Sequence, residues 1–252
     1  MKFNLLFILL FSISISSLFG QTPVKIEIPT LSENDSIINH TGYSVSYNHK
    51  YRQANWVAYQ LTKLETTKLF ERADKFKTDP LINGTDNSSD YEKAGYDRGH
   101  LAPAADMCYS EIAMLESFYY SNMSPQVPGF NRGIWKKLEE QTRSWAIEYD
   151  SLYIVVGPIF SDSMKTIGSH KVAVPNSYYK VILDNHKGKE KMIGFVLRNE
   201  SSSDCLHSFV VSVDSVEVLT GIDFYPELDD VLENFLEKSI SIEKWLFVDK
   251  KK

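Results

Sequence analysis

The amino-acid sequence predicts an α+β protein with a mostly antiparallel sheet and packed helices. Two strand-like runs, 179–183 and 192–197, are joined by a short polar stretch that contains Gly188, which is typical of a β-hairpin. Separate segments carry apolar residues at three- and four-residue spacing, which indicates amphipathic helices. This mixture of hairpin strands and separate helices indicates the fold class.

In chain order, the first strand is predicted over 56–62, where the residues are apolar and rich in β formers. The stretch 78–90 contains Pro, Gly, Asn and Ser, and it predicts a surface loop. A helix is predicted over 110–120, with Ser110 as its N-cap residue.

The second half of the chain continues with a short buried strand over 152–156, which is expected to end at Gly157. After the hairpin, Asp214 is expected to cap a short helix that Gly221 closes. A last amphipathic helix is predicted around 228–236.

The N-terminal sequence predicts export. Residues 1–20 have one positive charge, a short apolar run and a small residue at Gly20, which are typical of a cleaved signal peptide. The apolar run is too short for a comfortable membrane span, so we expect no stable membrane association. We expect an extended leader over 21–42, a single domain over 43–252, and a secreted or periplasmic protein.

A histidine and an arginine lie close together in the run Asp97-Arg98-Gly99-His100. In an extended chain the side chains of Arg98 and His100 project from the same face, and Gly99 permits close approach of another group. A neutral imidazole can accept a proton from water, and a guanidinium matches phosphate oxygens. The alternative is a surface turn with an ion pair, and four residues alone do not decide between them.

A second polar pair, Asn131 and Glu139, lies on a predicted amphipathic helix with Asn131 as its N-cap. The two side chains lie about 80° apart at ~100° per residue, so both can face one cleft. Amide and carboxylate oxygens with waters suit Mg²⁺ or Mn²⁺ better than Zn²⁺. With the first run they supply the needs of a one-metal phosphodiester hydrolase. Alternatively, Asn131 is only a cap and Glu139 only a solvated helix residue.

The chain resembles the DNA/RNA non-specific endonucleases, a family of ββα-metal nucleases. Three blocks in order carry the resemblance: Asp97 to His100, then Ser121-Asn122-Met123-Ser124-Pro125-Gln126, then Asn131 to Glu139. It covers most of residues 43–226. The resemblance implies a ββα-metal active-site core, with the histidine on a strand and the asparagine on the helix.

The resemblance also implies a role for each residue of the site. His100 is expected to be the general base, Asn131 the direct ligand of Mg²⁺ (with Mn²⁺ able to substitute), and Glu139 the holder of metal-bound waters. Arg98 is expected to support the charged transition state. The positions expected to support the active site are Asp97, Asn122 and Gln126.

One position departs from the family pattern. Members carry a further arginine upstream, and the position that aligns with it here is Asp74, with Arg72 and Lys75 beside it. The sequence leaves open which of the two cations takes that role, or whether the role is absent.

The net charge of −6 is not typical of a nucleic-acid-binding protein. A nuclease can still concentrate cations locally, and Arg132 and Lys136 are expected to bind substrate. The cations that cluster around the two runs are Arg98, Arg132, Lys136, Lys137 and Arg143. The alternative is a helix surface with scattered charges.

Other metal-binding residue types are not expected to form a site. The five histidines outside the first run are interpreted as surface or packing residues, and Cys108 and Cys205 do not have zinc-site spacing. Export would permit a disulfide between the two cysteines, but the sequence does not place them close together, so both states stay open.

The leading hypothesis is therefore a secreted, metal-dependent endonuclease that cuts DNA, and by expectation RNA, with little sequence specificity. The resemblance to the family further implies that cleavage leaves 5′-phosphate ends. One alternative is a catalytically inactive nucleic-acid or surface binding module of the same fold. Another is a phosphodiesterase for small substrates. The oligomeric state is not predicted.

Overall fold

A seven-stranded antiparallel sheet forms the centre of the fold, with strand order β1-β2-β3-β6-β9-β10-β11. The computed structural model describes residues 25–30, 36–85 and 88–248. The strands of the chain are β1 Ile37–Asn39, β2 Ser44–Asn48, β3 Gln53–Thr62, β4 Asp97–His100, β5 Met123–Gln126, β6 Ser151–Ile159, β7 Lys165–Ile167, β8 Val172–Val174, β9 Ser177–Asp184, β10 Lys191–Arg198 and β11 Val210–Val211. Strands β4 and β5 form a separate two-stranded ribbon, as do β7 and β8.

Helices cover both faces of the large sheet. They are α1 Glu111–Glu116, α2 Lys136–Tyr149, α3 Val213–Thr220 and α4 Asp230–Lys238. A wide helical turn, Phe130–Trp135, leads directly into α2. Together with the antiparallel sheet, these helices confirm the predicted α+β class.

Side-chain alternation along β3 separates two hydrophobic cores. Val57 and Tyr59 belong to the core that also contains Trp145 of α2. Trp56 and Ala58 belong to the other core, which contains side chains of α3 and α4. The helix α2 therefore lies on one face of the sheet and the pair α3 and α4 on the other.

Several predicted local elements are confirmed. Ser110 caps α1, because its side chain accepts from the N–H of Ala113. The hairpin of β9 and β10 pairs in full register from Lys191↔Asp184, and Gly188 in its turn has φ +80°. Gly221 ends α3 in the left-handed conformation, as predicted.

Other predicted boundaries are wrong. Strand β6 does not stop at Gly157 but continues through Pro158 to Ile159. Its pairing with β3 ends at Val156, while its pairing with β9 continues to Ile159. Among the described residues, no strand pairs with Pro158 on the β3 side, so the N–H that proline lacks is not needed there. Helix α1 is shorter than predicted and ends at Glu116, where the Ser117 hydroxyl turns back to donate to Met114 O.

The cap of α3 is also corrected. Ser212, not Asp214, is the N-cap residue, and its hydroxyl oxygen accepts from the N–H of Ser215. In α4, Asp229 accepts from the N–H groups of Val231 and Leu232, which sets the start of the last predicted helix.

At the N-terminus, the predicted signal peptide 1–20 lies outside the described residues. Of the predicted leader 21–42, the segment Ile37–Asn39 is strand β1 at the sheet edge. In the part of the chain that the structure describes, no helix is long and apolar enough to cross a membrane. Cys108 is buried and Cys205 exposed, and the two do not form a disulfide.

Candidate active site

The ribbon of β4 and β5 places His100 next to the helical segment. The four residues of β4 pair with β5 from Asp97↔Gln126 to His100↔Met123. Asn122 is buried and holds the chain just beyond His100: its Oδ1 accepts from Ala102 N–H at 2.8 Å, and its Nδ2 donates to Ala102 O at 2.9 Å. The Nδ2 group also donates to Ser117 O at 2.8 Å. Asn122 therefore fixes the backbone that follows the histidine.

Gln126 supports the same ribbon by packing. Its side chain is fully buried and lies against Gly99, so that a Cβ on Gly99 would collide with it. The close approach expected at this glycine is thus made by Gln126, from the neighbouring strand.

His100 lies on the cleft wall with its ring largely removed from water. The residue is 8% exposed, and its ring packs against Phe118 at 4.8 Å and Phe76 at 5.9 Å between centroids. Burial, reinforced by the charge of Arg72, lowers the pKa of His100 to about 3. The neutral fraction of the imidazole near pH 7 is therefore larger than it would be at the ordinary pKa, and the neutral ring can accept a proton.

Asn131 does not cap a helix. Its backbone lies inside the wide turn Phe130–Trp135, where the N–H donates to Val127 O at 2.9 Å, and Gly133 interrupts the helical path before α2. The side-chain Nδ2 instead donates to Asp97 Oδ2 at 2.9 Å. The remaining polar atom of the amide, Oδ1, is the one that can bind a cation.

Asp97 joins Asn131 to Arg132. Its two oxygens accept from Arg132 Nε at 2.7 Å and Nη2 at 2.6 Å, a bidentate pair. Burial opposes ionisation, but the hydrogen bonds from Arg132 and Asn131 hold the pKa of Asp97 below its ordinary value. The carboxylate is therefore charged and orients two residues that line the cleft.

Glu139 lies in the first turn of α2, half-buried in the cleft. Burial raises its pKa to about 7, the charge of Lys180 opposes this shift, and Asp106 reinforces it. The helical angle used to place Glu139 near Asn131 assumed a continuous helix, which Gly133 interrupts, yet both side chains line the same cleft.

A buried charge network beneath Glu139 was not predicted. Asp106 is fully buried and accepts from Arg143 Nη1 at 2.7 Å and from Tyr59 OH at 2.8 Å. Lys180 is also fully buried, and its Nζ lies 5.3 Å from the centre of the Trp135 ring. A lysine in the middle of an apolar strand was the sequence signal for this network.

The cleft has a volume of about 460 Å³ and is strongly cationic. An adjoining hollow of about 290 Å³ shares four of its lining residues. The residues that line the cleft are Arg72, Arg98, His100, Pro103, Ala104, Ala105, Asn131, Arg132, Lys136, Glu139 and Arg143. Lys137, expected in the same patch, instead lines a separate pocket that includes Cys205.

Arg98 and Arg72 both line the cleft, and each lies over a ring that contacts His100: Phe76 for Arg98 and Phe118 for Arg72. Arg98 donates from Nε to Tyr120 OH at 2.9 Å and from Nη2 to Ser88 O at 3.1 Å. Arg72 packs over the Phe118 ring at 4.9 Å. Of the two cations left open by the sequence, it is Arg72 that lines the cleft.

The donor set of the cleft fits a hard divalent cation. Asn131 offers an amide oxygen and Glu139 a carboxylate, and such oxygen ligands suit Mg²⁺, which keeps several of its waters. The cysteines are not among the lining residues. Of the other histidines, His40 is buried against Asp79 and His170 pairs with Asp90, so both have structural partners.

Comparisons with known proteins show which family this chain is similar to. The sequence model of the DNA/RNA non-specific endonuclease family matches residues 21–231. Nuclease C1 of Cunninghamella echinulata var. echinulata is 37% identical over 210 residues, which is 76% of this chain and 83% of that protein. Mitochondrial endonuclease G of Homo sapiens is 31% identical over 220 residues, covering 81% of this chain and 73% of that protein. A crystal structure of the EndoG/EndoGI complex superposes with a TM-score of 0.75 and 32% identity, covering 80% of this chain and 89% of that one.

The same comparisons contradict the predicted location. Five of the relatives are named as mitochondrial nucleases, which opposes the expectation of a secreted or periplasmic protein. That expectation rested on residues 1–20, which lie outside the described part of the chain.

Proposed function

The chain belongs to the DNA/RNA non-specific endonuclease family, and we propose that it cuts both DNA and RNA with His100 as general base and Asn131 as the direct ligand of one Mg²⁺. Its family makes it a metal-dependent hydrolase whose substrates are nucleic acids. The observation that carries the proposal is the meeting of His100, Asn131, Glu139 and Arg98 in one cationic cleft.

His100 is suited to take a proton from water because burial keeps its ring neutral. A phosphate anion beside the ring favours the protonated form, so we expect the pKa of His100 to rise when substrate is bound. The water oxygen then forms a bond to phosphorus and its proton passes to His100. The bond from phosphorus to the 3′ oxygen breaks, the departing oxygen takes up a proton from solvent, and the products are a 3′-hydroxyl and a 5′-phosphate end.

Asn131 and Glu139 line the same cleft as His100 and are suited to hold the cation. Asp97 fixes the amide so that its Oδ1 is presented, and Glu139 is placed to accept hydrogen bonds from the ion's waters. A bound Mg²⁺ would supply positive charge that offsets the negative charge of the reacting phosphate. Mn²⁺ also accepts oxygen ligands, so we expect it to substitute.

Four cations bind and orient the polymer in this proposal. Arg98 and Arg72 suit the reacting phosphate, since their guanidinium groups lie over the two rings that contact His100. Arg132 and Lys136 line the same cleft and suit neighbouring phosphates. Contacts to phosphates carry no sequence information, which fits cleavage with little sequence preference.

The test is cleavage of supercoiled plasmid and of a structured RNA with Mg²⁺, with EDTA, and by the variants His100→Ala and Asn131→Ala. We expect cleavage of both substrates, loss of it in EDTA, and a fall of ~10²–10⁴-fold for His100→Ala. His186→Ala changes an exposed histidine of the β9–β10 turn and is the matched control. Rapid cleavage by His100→Ala would refute the base assignment while leaving the enzyme class intact.

A small diester such as a nitrophenyl phosphodiester separates a polymer nuclease from a general phosphodiesterase. We expect much faster turnover of plasmid, because only a polymer reaches both ends of the cationic cleft. The inactive binding module is not favoured, since the relatives are nucleases.

A further inference from the structure

Acidic side chains converge where α3 and α4 meet, on the sheet face opposite α2. Carboxylate oxygens of Asp214, Glu217 and Glu237 lie within 4.8 Å of one another. Those of Asp223, Glu233 and Glu237 do the same, so Glu237 belongs to both groups. We call these five residues the acidic cluster.

Glu237 is the centre of the acidic cluster and has an unsatisfied oxygen. The residue is only 6% exposed, and its Oε1 is buried without a hydrogen-bond partner among the described residues. The Oε1 of Glu233 is in the same condition. A buried acceptor without a donor is costly, and one cation can satisfy several carboxylate oxygens at once.

The other carboxylates are held in place from outside. Glu217 accepts from the N–H of Phe224 at 3.0 Å, and Asp223 accepts from Thr30 Oγ1 at 2.7 Å. These bonds fix two members of the acidic cluster. Neither bond reaches Oε1 of Glu233 or Oε1 of Glu237, which have no donor among the described residues.

The charged side chains around the acidic cluster are all negative in the segment that contains it. Residues 213–237 contain eight Asp or Glu and neither Lys nor Arg. Burial and neighbouring carboxylates raise the pKa of Glu237 to about 8 and that of Glu233 to about 7. For Glu237 the first of those neighbours is Glu217, with which it also shares a hydrogen bond.

Protons alone do not account for this arrangement. A proton shared between Glu217 and Glu237 satisfies one contact between those two carboxyl groups, but it leaves Oε1 of Glu237 and Oε1 of Glu233 without a partner among the described residues. A cation can accept more than two carboxylate oxygens at once, so it fits two groups of three carboxylates that meet at Glu237 better than a shared proton does.

We propose that the acidic cluster binds a calcium ion that joins α3 to α4. Oxygen-only ligands select Ca²⁺, Mg²⁺ or Mn²⁺ over zinc and copper. Ca²⁺ accepts roughly six to eight oxygens at about 2.3–2.6 Å in flexible geometry, which suits carboxylates that come from two helices and a loop. Mg²⁺ requires near-ideal octahedral geometry at about 2.0–2.1 Å, which two helices and a loop do not impose.

The calcium site is separate from the proposed catalytic ion, because the sheet lies between the acidic cluster and the cleft that contains Asn131. Calcium is therefore expected to stabilise the folded chain without being needed for hydrolysis. The proposed ligands come from α3, from α4 and from the loop between them, and both helices pack on the sheet. A bound ion would therefore hold α4 against α3.

The test is calorimetric titration of the chelator-treated full chain with CaCl₂, together with thermal melts with and without Ca²⁺. It is done in the Asn131→Ala background, so that the catalytic ion does not contribute. We expect one Ca²⁺ per chain and a rise in Tm. Glu237→Gln is expected to weaken binding by about tenfold or more, and Glu233→Gln likewise, since each removes a charged ligand. Glu148→Gln, which changes an exposed glutamate of α2, is the matched control.

Three results would overturn the proposal: no Ca²⁺ binding in the Asn131→Ala background, equal affinity in both cluster variants and the control, or tighter binding of Mg²⁺ than of Ca²⁺. If Glu237→Gln does not melt cooperatively, Glu233→Gln tests the same ion at a more exposed position. Since the readout is binding and Tm, failure here leaves the nuclease proposal untouched, and loss of nuclease activity leaves this one standing.

Discussion

Replacement of Asp97 by Ala separates the orientation of the metal ligand from the binding of substrate. Asp97 accepts one hydrogen bond from the Asn131 amide and two from Arg132. Removing the carboxylate releases the amide, whose Oδ1 then no longer has a fixed direction. We therefore expect Asp97→Ala to weaken the apparent affinity for Mg²⁺.

The size of the effect follows from the two kinds of contact. A residue that orients a metal ligand contributes typically ~10–100-fold in metal affinity or activity. The ion pair between Asp97 and Arg132 contributes less free energy, because the arginine side chain is 73% exposed and a solvated ion pair contributes only ~0–1 kcal/mol. Most of the loss in Asp97→Ala should therefore be in Mg²⁺ affinity, with a smaller part in KM for DNA.

The assay is the rate of plasmid cleavage across a Mg²⁺ titration, for Asp97→Ala and for Arg132→Ala as the matched variant. Arg132→Ala removes two of the three hydrogen bonds to Asp97 but keeps the one from Asn131. It should change KM for DNA and leave the Mg²⁺ midpoint nearly constant. An unchanged midpoint in Asp97→Ala, or the same shift in both variants, would refute the reasoning.

Three further perturbations have expected outcomes. Arg72→Ala should lower kcat/KM by about 10- to 100-fold, since a charged hydrogen bond contributes roughly 1.5–3 kcal/mol, whereas Lys75→Ala should change it by less than about fivefold; equal losses would show that the contact is not specific. Lys136→Ala should reduce the slope of log(kcat/KM) against log salt by about 0.9 if one phosphate contact is lost, while Lys137→Ala, which faces another pocket, should keep the slope. Without divalent cations, Glu237→Gln should raise Tm at alkaline pH and have little effect at acidic pH. The pKa of Glu237 is raised from 4.5 to about 8 in the folded protein. The protonated carboxyl group therefore makes its full contribution to the free energy of unfolding below pH 4.5, and this contribution is lost as the pH rises through about 8. Each ~1 kcal/mol gained corresponds to about 2–4 °C in Tm, and a pH-independent difference would contradict this assignment.

Elements whose ends are set by neighbours in the chain could be predicted from the sequence. Ser110 caps α1 through an N–H three residues away, and Gly221 closes α3 because it adopts positive φ. The turn at Gly188 depends on the same kind of local preference. In each case the residue type and its nearest neighbours contain the needed information.

Elements decided by distant contacts could not be predicted in this way. Asn131 has the residue type of an N-cap, but its amide donates to Asp97, 34 positions earlier in the chain. Pro158 stays in a strand because β6 loses its β3 neighbour at that point, which is a property of the sheet and not of the proline. Local propensity is overruled in both places by tertiary structure.

The candidate site divides along the same line. The two runs around His100 and Asn131 name the reactive groups, since each run carries a recognisable spacing. The groups that set their charge state come from elsewhere: Arg72 lies upstream, and Lys180 lies on β9. Their effect on the pKa values of His100 and Glu139 depends on distances between side chains, and the sequence does not give those distances.

Net charge was the weakest guide to substrate, and the fold explains why. Residues 213–237 hold eight of the 33 carboxylates and no Lys or Arg, so the rest of the chain has 25 acidic residues against 27 basic ones. The sheet separates the two populations, with the acidic cluster on the face of α3 and α4 and the cationic cleft beside α2. A phosphate in the cleft is governed mainly by the nearby cations, because physiological salt screens exposed charges that are farther apart than a Debye length of about 8 Å. Binding of Ca²⁺ to the acidic cluster would therefore change the net charge of the protein while leaving the salt dependence of DNA cleavage nearly unchanged.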